Sequence, residues 1–295
     1  MWWSWNLPTA DTAGSETLSS IVITVKNEEA HLEQLLESLL SQEPPLEIIL
    51  VDAFSADRTF EIAQDFAKKH PDILRVYQVR GRRGFGRNFG VQKARGSRVY
   101  FIDGDCVADS HWLAALKAGF SEGGVVAGKT LTIGVPKYAS LERVELFHRG
   151  MDVTYPSCNL AYNRDLFEKL SGFDGRFETA EDIDLNLRAV TQGAKIVYRP
   201  EAVVYHNSRT NIFRFLLQAF WNGYGRKQLT EKHGHLWAHY RYRRMLETQR
   251  SVLAYARLAA ALTGYFTRLI TTVGSPGRIA REEPAPSVTR KATKG

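Results

Sequence analysis

Val99-Tyr-Phe-Ile-Asp-Gly-Asp-Cys-Val-Ala-Asp109 is the stretch from which the chain is read. Val99 to Ile102 are four apolar residues in a row, the pattern of a strand buried on both faces of a parallel sheet. The strand ends on two aspartates separated by one glycine. Side chains two apart on an extended chain share a face, so Asp103 and Asp105 are expected to aim at one point. Gly104 lets the backbone bend and a ligand come close. In open α/β sheets the ligand crevice lies at the carboxyl ends of the strands. Two carboxylates there suit a hard divalent cation, Mg2+ or Mn2+, that also holds a substrate phosphate. A solvated Asp-Gly turn is the plain alternative.

Upstream, Ile21-Val-Ile-Thr-Val25 is rich in β-branched residues and reads as a strand running into Lys26-Asn-Glu-Glu29. Leu32, Leu35, Leu36, Leu39 and Leu40 then fall on one helical face. Leu46 to Val51 is a second strand, ending at Asp52, and Ser55-Ala-Asp-Arg-Thr59 opens a second helix. Ile73 to Val79 is a third strand. Arg80 to Gly90 follows as a basic, glycine-rich turn, then a short helix to Gly96. Strand and helix alternate four times, which implies parallel pairing and an α/β fold with a mostly parallel, doubly wound sheet and helices on both faces. Asn27-Glu28-Glu29, Asp52 and Asp103-Gly-Asp105 all sit at strand ends, so they should gather on one edge.

The run Gly84-Phe-Gly86-Arg-Asn-Phe-Gly90 matches neither the dinucleotide fingerprint nor the P-loop, and it follows the third strand rather than the first. A basic turn entering a helix can still cradle a diphosphate. Arg82 and Arg83 read as solvated. Arg87 and Asn88, where the helix should begin, are the candidates for contacts near the metal.

Downstream, a helix carries Trp112, Leu113, Leu116 and Phe120. Short strands are expected at Val125–Ala127 and Thr130–Ile133, a helix over Tyr138–Met151, a strand over Pro156–Ala161, a helix over Arg164–Leu170, and strands at Lys195–Tyr198 and Ala202–Tyr205. His206 ends the last of these, and neutral imidazole suits Mn2+-type ions. Thr179-Ala-Glu-Asp-Ile-Asp-Leu-Asn-Leu-Arg188 opens a helix with two readings. Thr179-x-x-Asp182 has the form of a capping box, with Asp184 and Arg188 as a surface pair. Alternatively, Glu181 or Asp182 faces an acceptor as general base.

The 295 residues carry a net charge of +7, with 44% apolar and 24% charged residues, ordinary for a globular protein. Cys106 and Cys158 are the only cysteines, which argues against a disulfide scaffold or structural zinc site and fits a reducing compartment. Charge is uneven: residues 1–206 hold 23 Lys and Arg against 28 Asp and Glu, whereas residues 207–295 hold 16 against four. Residues 1–17 read as a flexible lead-in without a signal peptide, the Trp2, Trp3 and Trp5 cluster included, and 276–295 as a disordered basic tail. No apolar run is long enough to span a membrane. Residues 207–275 read as a basic, amphipathic helical extension, with Trp237, Tyr240 and Tyr242 interleaved with Arg241, Arg243 and Arg244. Such faces suit an anionic membrane surface, or packing on the body or another subunit. No nucleic-acid module is present.

Together, Val22-Ile-Thr-Val-Lys-Asn-Glu-Glu29, Val51-Asp-Ala-Phe-Ser-Ala-Asp-Arg-Thr59, Gly86-Arg-Asn-Phe-Gly90, Phe101-Ile-Asp-Gly-Asp105, Gly172-Phe-Asp174 and Glu181-Asp-Ile-Asp-Leu185 resemble the inverting glycosyltransferases of family 2. They run in the expected order over residues 20–206. The resemblance implies a GT-A catalytic domain over residues 18–206 that binds a nucleotide sugar. It implies that Asp52 binds the nucleotide with Glu28 nearby, that Asp103 contacts ribose or sugar, and that Asp105 binds the metal across the diphosphate. Asp182 would be the base with Glu181 beside it, and His206 a third ligand to metal or diphosphate. Arg87 would offset charge on the departing diphosphate. Ala53 departs from the family, which usually has Asp or Gly there. Gln218-Ala-Phe-Trp-Asn222 lacks the Arg-Trp pair of the processive synthases, so transfer of a single sugar from a UDP- or GDP-sugar is expected. The acceptor would be lipid-linked or a polysaccharide, and the enzyme cytoplasmic, on the membrane's cytoplasmic face. A sugar-1-phosphate nucleotidyltransferase would need a glycine-rich loop after the first strand, where Lys26-Asn-Glu-Glu29 stands. A binding protein on a degenerate scaffold would not need Asp52, Asp103, Asp105 and Asp182.

Overall fold

Alternate residues of Ser19–Val25 (β1) serve two different cores. Ile21, Ile23 and Val25 pack with Leu32, Leu35, Leu36 and Leu39 of Leu32–Leu40 (α1) and with Ala63 and Phe66 of Thr59–Lys69 (α2). Val22 points the other way, into the layer of Val91, Phe101, Phe167 and Leu185. A strand buried on both faces carries apolar residues on both, which is why Ile21-Val-Ile23 lacks the alternation of a half-exposed strand. In a computed structural model, residues 17–134, 144–207, 211–234, 236 and 251–273 are described. The lead-in, the Trp237–Arg244 stretch and the 276–295 tail lie outside them.

Eight strands of the described residues form one mixed α/β sheet in the order β3-β2-β1-β4-β9-β6-β10-β5. They are β1, Leu46–Asp52 (β2), Leu74–Gln78 (β3), Arg98–Asp103 (β4), Cys106–Ala108 (β5), Val125–Ile133 (β6), Leu160–Asn163 (β9) and Ile196–Asn207 (β10). β1 pairs in parallel with β2 and with β4, β2 with β3, and β6 with β10. β9 runs antiparallel between β4 and β6, and β5 antiparallel on β10. The remaining helices are Arg83–Lys93 (α3), Trp112–Gly119 (α4), Arg164–Lys169 (α5), Glu181–Thr191 (α6), Ile212–His233 (α7) and Val252–Val273 (α8). Phe147–His148 (β7) and Met151–Asp152 (β8) form a small hairpin.

Three expectations change. The helix expected over Tyr138–Met151 is not formed where that stretch is described: Gly150 takes φ +80° at the β7–β8 turn. The paired short strands are single strands: β6 is continuous, and β10 absorbs Pro200 through a register shift between Arg199 and Val203. Pro156–Ala161 begins with a 3-10 turn at Ser157–Asn159 before β9.

The glycine-rich run is helix rather than loop. α3 begins at Arg83, and Gly86 and Gly90 face the sheet. A Cβ on Gly86 would lie 3.1 Å from Thr24 Cγ2, and one on Gly90 2.4 Å from Val22 Cγ1. Glycine costs a helix about 1 kcal/mol of propensity per residue, and here it lets α3 lie close on β1. Gly90→Ala should therefore overpack this contact and cost about 1–3 kcal/mol in urea unfolding. Gly175→Ala, with open space around it, should stay within about 0.5 kcal/mol of wild type.

Candidate active site

The parallel register sets the site. Asp52 stands opposite Val25 and Asp103 opposite Thr24, so the carboxyl ends of three strands share one edge. The side chains there are not equally available. Asp52 is fully buried; it accepts hydrogen bonds from the backbone N–H and hydroxyl of Ser55 and from Gln78 Nε2 at 2.9 Å. It shapes the 53–55 loop. On that loop Phe54, with φ 57° and 41% exposure, presents its ring to the Arg80 guanidinium at 4.5 Å. Glu28 is half-buried; its N–H donates to Thr59 Oγ1, and its side chain packs where a Cβ on Gly104 would fall, 3.0 Å from Glu28 Cγ.

Asp103 and Asp105 flank a turn rather than sharing one strand face. β4 ends at Asp103, and Gly104-Asp105 is a turn, so the two-residue alternation of a strand no longer applies. Asp103 accepts from Arg87 Nη2 at 2.7 Å, while Arg87 Nη1 donates to Glu181 Oε1 at 2.6 Å. The Arg87 side chain is only 1% exposed. Burial disfavours its charge, but Asp103 and Glu181 outweigh that and hold the guanidinium firmly protonated. In return, Arg87 keeps the Asp103 carboxyl below the usual range despite burial. Arg87 is thus a buried tie between two carboxylates rather than a cleft-facing cation. Asn88 is also turned inward. Its amide donates to Phe173 O at 2.7 Å and accepts from Phe173 N at 2.9 Å, pinning the turn at Gly172.

Asp105, in the turn after β4, lies beside His206. Its Oδ2 lies 3.4 Å from His206 Nε2, and β5 carries Cys106 into register with His206. One ligand atom from each of Asp105, Cys106 and His206 lies within 4.8 Å of the others. Sequence reasoning missed Cys106, whose only signal was its place directly after Asp105. The Cys158 sulfur and burial push the Cys106 thiol well up. Mn2+ and Mg2+ prefer oxygen and nitrogen donors to sulfur, which makes Asp105 and His206 the pair in this group suited to such an ion.

Glu181 and Asp182 open α6. The capping box does not form: Ala180 is the N-cap, in the left-handed region at φ 68°, and the Thr179 hydroxyl donates instead to Trp221 O at 2.7 Å. Asp182 is half-buried and accepts from Ser157 N at 3.1 Å and Ile183 N at 2.8 Å. Burial, and then the charge of Glu181, raise its pKa to about 6. Nor are Asp184 and Arg188 a surface pair. Asp184 is fully buried and binds Arg188 Nε at 2.9 Å, Lys232 Nζ at 2.7 Å and His233 Nε2 at 2.7 Å. Lys232 and His233 are the last two residues of α7.

A model of glycosyl transferase family 2 matches residues 20–170. The chain is 29% identical over 218 residues to the uncharacterized glycosyltransferase EpsJ of Bacillus subtilis, covering 66% of this chain and 62% of EpsJ. It is 27% identical over 227 residues to the pre-mycofactocin glycosyltransferase of Mycobacterium tuberculosis, covering 69% and 46%. The chain thus spans about half to three-fifths of the length of these curated relatives. In fold it is similar to the mannosyltransferase PcManGT from Pyrobaculum calidifontis, solved with GDP-Man and Mn2+ (TM-score 0.57, 21% identity, covering 88% of this chain and 76% of that one). It is also similar to residues 1–349 of S. aureus TarS, solved with UDP-GlcNAc (TM-score 0.54, 19% identity, covering 88% and 93%). The sheet is accordingly that of the GT-A fold, and the ordered motifs lie on its carboxyl edge. This chain belongs to glycosyl transferase family 2.

Proposed function

We propose that the chain transfers one sugar, with inversion, from a UDP- or GDP-sugar to a hydroxyl of a lipid-linked or polysaccharide acceptor. The observation that carries this reading is the Asp103–Arg87–Glu181 bridge. It joins the donor edge of the sheet to the start of α6, where Asp182 stands as a half-buried carboxylate beside Glu181. The printed ligands of PcManGT and TarS, GDP-Man with Mn2+ and UDP-GlcNAc, support a nucleotide-sugar donor.

Each side chain has an assigned task. Asp52 orders the loop that presents Phe54, whose exposed ring with Arg80 offers a platform for the base. Asp103, kept ionised by Arg87, accepts hydrogen bonds from ribose or sugar hydroxyls. Asp105 and His206 would hold Mn2+ or Mg2+, which when bound offsets negative charge on the departing diphosphate. Asp182 takes the proton from the acceptor hydroxyl as that oxygen attacks the anomeric carbon from the face opposite the leaving group. Glu181 raises the basicity of Asp182, and Arg87 and Asn88 position rather than touch the substrate.

Calorimetry with Mn2+ and a panel of UDP, GDP, CDP and dTDP should find one nucleotide bound tightly, and Asp105→Ala should weaken that binding at least tenfold. No binding to any of the four would sink the donor assignment. A base must be ionised to accept a proton. Since the Asp182 carboxyl ionises at about 6, kcat/KM should rise tenfold per pH unit below about pH 6 and level off above it. Asp182→Asn should remove that limb and lower kcat by roughly 100- to 10,000-fold while leaving nucleotide binding intact. A variant with unchanged turnover would instead favour a binding module on this scaffold.

A further inference from the structure

α7 and α8 run side by side in the same direction. A Cβ on Gly223 would lie 1.7 Å from Ala261 O, and one on Gly264 1.9 Å from Phe220 O. Further along, Arg268 donates to Tyr224 Oη at 3.2 Å and to Glu231 Oε2 at 2.9 Å, so the partners advance together along both helices. The starts of both helices therefore lie at the same end, where Ile212, Phe213, Leu217, Val252 and Tyr255 are all exposed. On α8 the residues facing α7 are Ala261, Gly264, Arg268 and Thr272. Tyr255, Leu262, Phe266 and Ile270 recur at helical spacing on the opposite side, 43–71% exposed. Large apolar side chains in such a continuous stripe mark an interaction surface. No helix of the described residues is long and apolar enough to cross a membrane.

We infer that the α7–α8 pair docks on an anionic lipid bilayer through this stripe, lying in the interface rather than spanning it. Charge selects the occupant. Residues 207–295 carry 16 basic residues against four acidic ones, so this end of the chain is drawn to anionic headgroups and carries a charge that opposes association with its own copy. Arg214, exposed between Phe213 and Leu217, adds a cation beside the apolar stripe of α7. An apolar face flanked by basic charge is the amphipathic arrangement that buries in the headgroup boundary.

The docked pair would also orient the cleft. Gly225 of α7 lies so close to Thr179 that a Cβ would sit 2.4 Å from its Oγ1. Gln228 Oε1 accepts from Glu178 N, and Lys232 reaches Asp174 and Asp184. The loop that starts the Asp182 helix is thus tied to the element that would lie on the lipid. This orienting consequence rests on the transferase reading; the docking does not.

The test uses the full chain without nucleotide or metal, co-sedimented with vesicles of phosphatidylcholine alone or mixed with phosphatidylglycerol. Binding to the mixed vesicles should be at least tenfold stronger and should fall as salt is raised. Phe266→Ser combined with Ile270→Ser should weaken it at least tenfold with an unchanged thermal midpoint. As an independent readout, Ile270→Cys carrying an environment-sensitive fluorophore should brighten and shift to the blue on the mixed vesicles. Equal binding to both vesicle types, no binding, or no fluorophore response would overturn the proposal. So would a dimer in sedimentation velocity that the double variant dissociates, since the stripe would then cover a second copy. Because nucleotide binding is measured separately, loss of the donor assignment would leave this result standing.

Discussion

An arginine with almost no exposed surface cannot be left without partners, since desolvating an isolated guanidinium costs far more than a fold can recover. Arg87 meets that demand with Asp103 from the end of β4 and Glu181 from the start of α6. One buried cation thereby fixes the distance between the donor edge of the sheet and the helix that carries Asp182. It also sets their electrostatics: Asp103 is held ionised, while Asp182, next to Glu181 and partly out of water, is pushed toward neutral pH. The two acids differ by environment, the usual way in which carboxylates are given different tasks. The bridge depends in turn on Gly86 and Gly90, which let α3 lie close on β1.

The second constraint comes from the C-terminal helices. Ala180 in the left-handed region holds strain of about 1–3 kcal/mol, which persists only where surrounding contacts over-determine it. Those contacts come largely from α7: Trp221 O on Thr179, Gln228 on Glu178 and Arg176, Lys232 and His233 on Asp184. Leu229 and Leu236 share a buried cluster with Phe177, Ile183 and Leu187. The helix that looks foreign by charge is thus part of the framework around Asp182, and its basic residues include Lys232, which reaches the fully buried Asp184 carboxylate.

Much of the fold was legible because parallel strands buried on both faces must be continuous apolar runs. Val22, Ile48 to Val51 and Val99 to Ile102 read as strands for that reason. The polar residues that end those runs were correctly placed on one edge. Arg83–Lys93 was read as a turn entering a helix because its three glycines lower helix propensity, and close packing of Gly86 and Gly90 on β1 offsets it. The alternation argument does not reach Asp105, because the strand stops at Asp103 and a turn carries Asp105 to His206. Asn88 and Asp52 were taken for ligand contacts, yet their partners are Phe173 and Ser55 with Gln78, because a polar side chain near a site can equally serve the backbone that builds it.

By itself, the sequence determined the α/β alternation, the acidic edge, the family and the asymmetry of charge, since each follows from local composition and spacing. Tertiary structure alone decided which acids work together. Arg87 and Glu181 are 94 residues apart, Asp105 and His206 are 101 apart, and Asp184 meets Lys232 across the helix boundary. Such pairings, and the pKa shifts that follow from them, depend on burial and on distances of a few ångströms, which a one-dimensional pattern does not contain.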